Sequence, residues 1–174
     1  AGLDAALLAG AGFTAHRDAL GGPRGYCRAF FGAEAPPASL TVESPAWHMV
    51  DPGPAFKLYP SQYATHFVIR AALEARAQID DPSEIDTVTI TVPPMPYVDR
   101  PQPDSGLSGK FSFQYTAAVA LLDGDVTIDS FSDRRRFASD MRALLERIIL
   151  RVDPGRSGQF KQMQVDVDVV LARG

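Results

Sequence analysis

The chain has 174 residues, 45% of them hydrophobic and 22% charged, and a net charge of −4 with its three histidines counted as neutral. Such values describe one globular domain large enough to bury a core, and they argue against a disordered chain. A mildly acidic domain has no general affinity for nucleic acid or an anionic membrane, and no stretch approaches the ~20 apolar residues that a membrane span needs. The one cysteine, Cys27, excludes an internal disulfide and a cysteine-built metal site. We therefore expect a reducing, cytoplasmic location, with no nucleic-acid and no membrane partner. The chain starts in mid-pattern, with neither an initiator methionine nor a basic n-region, as an excised domain would.

Ala1 to Ala11 reads as a short packing helix, with Leu3, Leu7 and Leu8 at helical spacing and Gly12 as its stop. Gly21, Gly22 and Gly25 break the next segment, and Tyr26 to Phe31 predicts a second short helix with Cys27 as a core residue. Ser39 to Tyr59 is irregular with strand character, interrupted by Pro45, Pro52 and Pro54. The clearest helix is Tyr63 to Ile79. Phe67, Ala71 and Ala75 share one face, Ser61 is the expected N-cap, and Asp80-Asp81-Pro82 ends the run. In Thr87 to Val92, Val88, Ile90 and Val92 alternate with three threonines, the pattern of a half-buried strand. After a long loop from Pro93 to Gly109, a helix is expected over Ser112 to Leu122, closed by Asp123-Gly124. Another runs from Phe137 to Arg147 and brings Met141, Leu144 and Leu145 together. Ile148 to Val152 and Gln164 to Leu171 read as strands joined by the turn Asp153-Pro154-Gly155. The expected fold is a single α+β domain over residues 1–174, a two-layer sandwich with helices packed on one face of a β-sheet.

Several motifs fail on inspection. Ser105 to Ser112, SGLSGKFS, invites comparison with a phosphate-binding loop, but the first glycine would have to stand at Asp104 and the residue after Lys110 is Phe111. His16, His48 and His66 are too widely separated to converge on zinc, and structural roles are expected for His16 and His48. The run Arg134-Arg135-Arg136 reads as a solvent-facing stretch ahead of a helix, and no Ser/His/Asp set or Gly-x-Ser-x-Gly element is present.

Two segments remain. Lys57-Leu58-Tyr59-Pro60-Ser61 precedes the best helix and puts a lysine beside a helix start, where unpaired N–H groups favour a carboxylate or phosphate. Lys110-Phe111-Ser112-Phe113-Gln114-Tyr115 repeats the arrangement and adds a phenol. On residue chemistry alone, the favoured explanation of the two segments is an exposed lysine ahead of a turn and a core or interface tyrosine.

Taken together, the segments resemble the MmgE/PrpD family, which includes 2-methylcitrate dehydratases, cis-aconitate decarboxylases and an iminodisuccinate epimerase. The matching stretches are Gly12-Phe13-Thr14 with Gly22-Pro23-Arg24-Gly25-Tyr26, Lys57-Leu58-Tyr59-Pro60 followed by His66, and Phe111-Ser112-Phe113-Gln114-Tyr115 running on to Leu121-Leu122-Asp123-Gly124. They span nearly the whole chain but only the family's second, smaller domain. The resemblance implies a cofactor-independent lyase or isomerase for small di- or tricarboxylic acids, such as 2-methylcitrate in propionate metabolism, with no metal. Its active site would lie against a helical domain of the same parent chain, and we expect the parent to be a homodimer. It also implies that Lys57, Tyr115 and His66 are catalytic and that Lys57, Ser61, Gln62 and Lys110 bind substrate. Removing a proton next to a carboxylate builds negative charge that lysines can stabilise, and loss of water or carbon dioxide needs a positioned acid or base. The decarboxylase branch carries a histidine two residues after the proline, where this chain has Gln62, a side chain that cannot carry a proton at neutral pH. The isolated chain is expected to be inactive. The competing reading is a non-catalytic α+β module that docks a partner through its apolar helix faces.

Overall fold

The computed structural model describes residues 2–32, 49–50 and 53–172. Most of the Ser39–Tyr59 stretch, the proline-rich connector at 35–37 and His48 lie outside the described residues. The chain divides into two compact units, Ala1–Pro54 and Ala55–Gly174.

The first unit carries the two short helices read from the sequence, α1 (Gly2–Gly10) and α2 (Tyr26–Phe31). Gly12 follows α1 at φ 88° and Gly32 caps α2 at φ 68°, a backbone region that favours glycine. Cys27 is buried as expected, but α1 buries no residue, so Leu3, Leu7 and Leu8 expose the face assigned to packing.

The second unit is organised around one helix whose first nine residues are buried. Its elements in order are α3 (Thr65–Arg76), β1 (Ile85–Val92), α4 (Gly106–Gly109), α5 (Phe113–Asp123), α6 (Asp133–Arg136), α7 (Ser139–Leu145), β2 (Ile148–Val152) and β3 (Asp166–Leu171). Every residue of α5 from Phe113 to Leu121 is buried, and apolar side chains face all round it, as a helix enclosed by protein requires. Ser112 caps it by accepting the Tyr115 N–H, and Gly124 ends it at φ 70°. The small residues Ala117, Ala118 and Ala120 let neighbours approach closely. α5 packs between α3 and α7, while α3 rests on β3 and α5 on β2.

The sheet order is β2-β1-β3, with β2 parallel and β3 antiparallel to β1. Val88, Ile90 and Val92 point into the core and the threonines between them face outward, as the alternation predicts. The result is an α+β fold with helices on the sheet. The two later strands flank β1 rather than each other. Asp153-Pro154-Gly155 does turn the chain, but a longer connection then carries it across to the far edge of β1. Arg156 fastens that connection by ion pairs to Asp153 and Asp166 and a hydrogen bond to the Thr91 carbonyl.

Local differences from the sequence reading have physical causes. The helix expected over Phe137 to Arg147 is confined to α7, and a separate turn of helix, α6, precedes it and ends on Arg136, which is buried rather than solvent-facing. Its guanidinium donates to the Pro103 carbonyl at 2.7 Å and to Gln102 Oε1 at 3.1 Å. Arg135 also turns inward, to Asp123 and Asp140, leaving Arg134 as the exposed member of the run. The glycines of the rejected phosphate-loop motif are packing devices. A Cβ on Gly109 would lie 2.4 Å from the Tyr115 ring, and one on Gly106 would lie 2.3 Å from the Phe131 carbonyl oxygen.

The Gly106 contact is with backbone, which cannot rotate aside. Gly106→Ala is therefore expected to destabilise the protein by about 1–3 kcal/mol, the usual range for overpacking. The change reads as a lower urea midpoint at unchanged slope. An unaltered midpoint would mean that α4 is not seated against the Phe131–Ser132 backbone.

Candidate active site

The two segments singled out in the sequence meet at Gln62. Tyr59-Pro60-Ser61 forms a tight turn, closed by the Ser61 N–H on the Tyr59 carbonyl at 2.8 Å. Lys57 folds back across it, its Nζ donating to the Ser61 carbonyl at 3.1 Å. The next residue, Gln62, donates its backbone N–H to the Lys110 carbonyl at 2.9 Å, which ties the Lys57 segment to the Lys110 segment. Its side chain is engaged at both ends: Oε1 accepts the Ala64 N–H at 2.6 Å, and Nε2 lies 3.5 Å from the Tyr97 hydroxyl.

The side-chain cap expected from Ser61 is not made, and α3 starts without one. The Ser61 side chain is buried and exchanges a hydrogen bond of 2.8 Å with the Thr65 hydroxyl, so it caps no backbone N–H. With Gln62 and a turn over Tyr63 and Ala64 satisfying the first donors, α3 begins at Thr65, and it ends at Arg76 rather than Ile79.

An open groove of about 560 Å³ lies beside this junction, walled by Lys57–Pro60 on one side and Val126–Asp129 on the other. Lys57 is exposed on its rim, and Leu58, Ile128 and the nearby Phe56 expose most of their apolar surface. Lys110 lies partly exposed, with its Nζ 5.5 Å from the centre of the Phe131 ring. Neither lysine has a carboxylate partner among the described residues.

His66 follows on the first turn of α3. Its ring stacks on Tyr63 at 5.1 Å and meets Tyr59 edge-on at 5.2 Å, and Tyr63 in turn packs on Phe160. The buried Nε2 has no hydrogen-bond partner. Burial lowers the His66 pKa below its ordinary value. The backbone groups of Ser61 and Tyr59 work against that shift, and the nearby Lys57 charge reinforces it.

Tyr115 is where the structure departs most from the expected arrangement. It is fully buried, and its hydroxyl donates to the Ser130 carbonyl at 2.5 Å. Burial pushes its pKa up to about 12; the Arg135 charge works against that shift and the Asp123 charge adds to it. Its phenol thus meets the far side of the loop whose residues Val126–Asp129 wall the groove. It holds the end of that loop and is not among the residues that line the groove. Among the described residues no three His, Cys, Asp or Glu side chains converge as metal ligands, and no helix is long and apolar enough to cross a membrane.

Residues 59–174 match the MmgE/PrpD C-terminal domain. The chain belongs to the MmgE/PrpD family. Across 99% of its length it is 29% identical to the cis-aconitate decarboxylase of Mus musculus over 180 residues, and 30% identical to that of Homo sapiens over 179 residues. It spans 37% of the length of each of these curated relatives. Both joined segments, from Tyr59 onward, fall within the matched residues.

Sequence reasoning missed Tyr97 and Arg100, which lie in a loop with no periodicity. Their one legible signal was Gln114, a polar residue in the first turn of an otherwise apolar helix. Its Oε1 accepts the Arg100 N–H at 3.2 Å and its Nε2 donates to Asp99 Oδ1 at 2.7 Å.

Two outcomes test this geometry. Tyr115→Phe keeps the ring but leaves the Ser130 carbonyl unpaired in a buried position, so thermal denaturation should show a loss of about 1–3 kcal/mol. Stability equal to wild type would mean that the hydroxyl does not brace the loop. For His66, the folded pKa lies below the ordinary 6.5, so the unfolded chain binds more protons between the two values. Its contribution to stability is present above 6.5 and is lost as pH falls through the folded pKa. His66→Gln should flatten that limb of a stability-versus-pH profile, and an unchanged limb would assign the pH dependence to other groups.

Proposed function

We propose that this chain contributes the cationic half of the active site of a cofactor-independent lyase acting on a small tricarboxylic acid, with dehydration of a 2-methylcitrate-like substrate as the reaction it fits best. The observation that carries this reading is the Gln62-to-Lys110 hydrogen bond. It joins two segments that each carry a lysine without an acidic partner among the described residues, in a chain of net charge −4. In the reading, Lys57 and Lys110 hold substrate carboxylates and stabilise the charge that develops as a proton leaves the adjacent carbon. His66, kept neutral by burial, is the member of the group with a lone pair for a proton. Ser61 acts through its carbonyl, which orients Lys57, and Gln62 supplies shape and hydrogen bonding. Tyr115 positions the opposite wall. A helical domain elsewhere in the complete protein would cover the groove, in a homodimer, and this chain alone would not turn over substrate.

Gln62 separates this chain from decarboxylation. Decarboxylation leaves a carbanion-like centre that must be protonated, and the family's decarboxylase branch places an imidazole where this chain has an amide. Losing a general acid typically lowers a rate ~10²–10⁴-fold. Dehydration or epimerisation of a related acid needs no titratable group at that position if His66 handles the proton.

The experiment compares the complete protein with its Gln62→His variant. The wild type should dehydrate 2-methylcitrate or citrate and release little itaconate from cis-aconitate, and Gln62→His should raise itaconate release. Efficient decarboxylation by the wild type would overturn the reading of Gln62. Absence of activity on every di- and tricarboxylate offered would overturn the lyase reading and favour a docking module with exposed Phe56, Leu58 and Ile128 as its surface.

A further inference from the structure

The loop from Pro93 to Gly109 carries a single basic residue, Arg100, and its backbone is held from both sides by the start of α5. The Arg100 N–H donates to Gln114 Oε1 at 3.2 Å, and its carbonyl accepts the Ser112 hydroxyl at 2.6 Å. Both of those side chains are buried. Burying an amide and a hydroxyl is unfavourable unless both are paired, and here the partners they find belong to Arg100 and its neighbour Asp99. Gln114 also takes up the Asp99 carboxylate, and Asp99 makes no ion pair with the adjacent arginine.

The Arg100 side chain is held as well. Its guanidinium carbon stands 5.4 Å from the centre of the Phe111 ring, and Nη1 lies 3.5 Å from the Ser108 hydroxyl. That leaves the other donors of an exposed guanidinium without a protein acceptor and without a carboxylate among the described residues. Two routes tie Arg100 to the groove junction. Phe111 directly follows Lys110, whose carbonyl holds Gln62, and Tyr97, three residues before Arg100, approaches the Gln62 side chain.

The geometry points to Arg100 as a specificity-determining residue that binds one carboxylate of the substrate, beyond those held by Lys57 and Lys110. This rests on the proposed reading of the site as one for a small polycarboxylate. The chemistry favours arginine there. A planar guanidinium preset on an aromatic face offers two parallel N–H donors to a carboxylate, which fixes orientation as well as charge, whereas a lysine offers a point charge. Three separate cations, each without an acidic partner, also match the three negative charges of a tricarboxylate better than two do.

The test uses the complete protein and tricarballylate, a tricarboxylate with no hydroxyl to eliminate, with butyrate as a one-carboxylate control, in calorimetric titrations. Arg100→Gln should weaken tricarballylate roughly 10–100-fold, the loss expected for charge-assisted hydrogen bonds, and leave butyrate and the melting temperature unchanged. Arg100→Lys should recover part of the loss, because it restores charge but not the fork. Lys57→Gln should weaken both ligands. If Arg100→Gln binds tricarballylate like wild type while Lys57→Gln does not, the assignment of Arg100 falls and the polycarboxylate reading stands. If neither substitution changes tricarballylate binding, both fall.

Discussion

The burial of α5 from Phe113 to Leu121 is the constraint on which the second unit depends. A helix enclosed on every side has nowhere to send polar side chains except to protein partners, and α5 with its cap carries four of them near its start: Ser112, Gln114, Tyr115 and Thr116. Thr116 turns back to the Ser112 carbonyl at 2.7 Å, but the other three reach outward to loops. Ser112 and Gln114 clamp Asp99 and Arg100, and Tyr115 anchors Ser130. The same residues that close the core therefore fix the loops around the groove. This accounts for a run such as Phe111–Tyr115 that mixes large apolar and polar residues without amphipathic period: each polar member has a separate loop to hold.

Much of this was legible in the sequence because it follows from period and punctuation. The alternation of Val88, Ile90 and Val92 with threonines fixed the inward face of β1, and Asp123-Gly124 marked the end of α5 where Gly124 does adopt positive φ. The pairing of Met141 with Leu144 and Leu145 likewise required only helical spacing, and all three are in the core. Lys57 and Lys110 could be singled out because a lysine ahead of a helix start is chemically distinctive, and a backbone hydrogen bond from Gln62 to Lys110 joins their two segments.

What was not legible is long-range or a matter of partner choice. Ser61 has the right residue type for a cap, but whether a serine caps depends on where its hydroxyl is drawn, and Thr65 draws it inward. Three consecutive arginines suggest solvent. Only the placement of Pro103 and Gln102, more than thirty residues earlier, makes a buried site for Arg136. The strand order had the same origin: a turn between two strands suggests that they pair, yet the middle position goes to β1, whose valines and isoleucine best fill the face under the helices. Tyr115 is the instructive case. A phenol near a lysine looks available for chemistry, and only the location of the Ser130 carbonyl reveals that its proton is committed elsewhere.

The electrostatics of the groove bear on how such a site could act. Two charges 4 Å apart attract by about 1 kcal/mol in bulk water and by about 4 kcal/mol at an effective dielectric of 20. At an open surface, Lys57 on the groove rim and Lys110 on the adjoining segment would, on the proposed reading, stabilise a developing carbanion only weakly, because water screens them and competes for the substrate carboxylates. Their contribution grows as water is excluded, so the proposed chemistry requires a cover over this surface. The side chains around Lys57 are suited to one: Leu58, Ile128 and Phe56 expose apolar area beside the cation rather than surrounding it with polar groups. A cover that buried those three residues would also dehydrate the lysine between them and raise its effect on the reacting carbon. On the proposed reading, the exposed apolar rim and the unpaired cations are two parts of one device, with the rim's burial strengthening the charges it encloses.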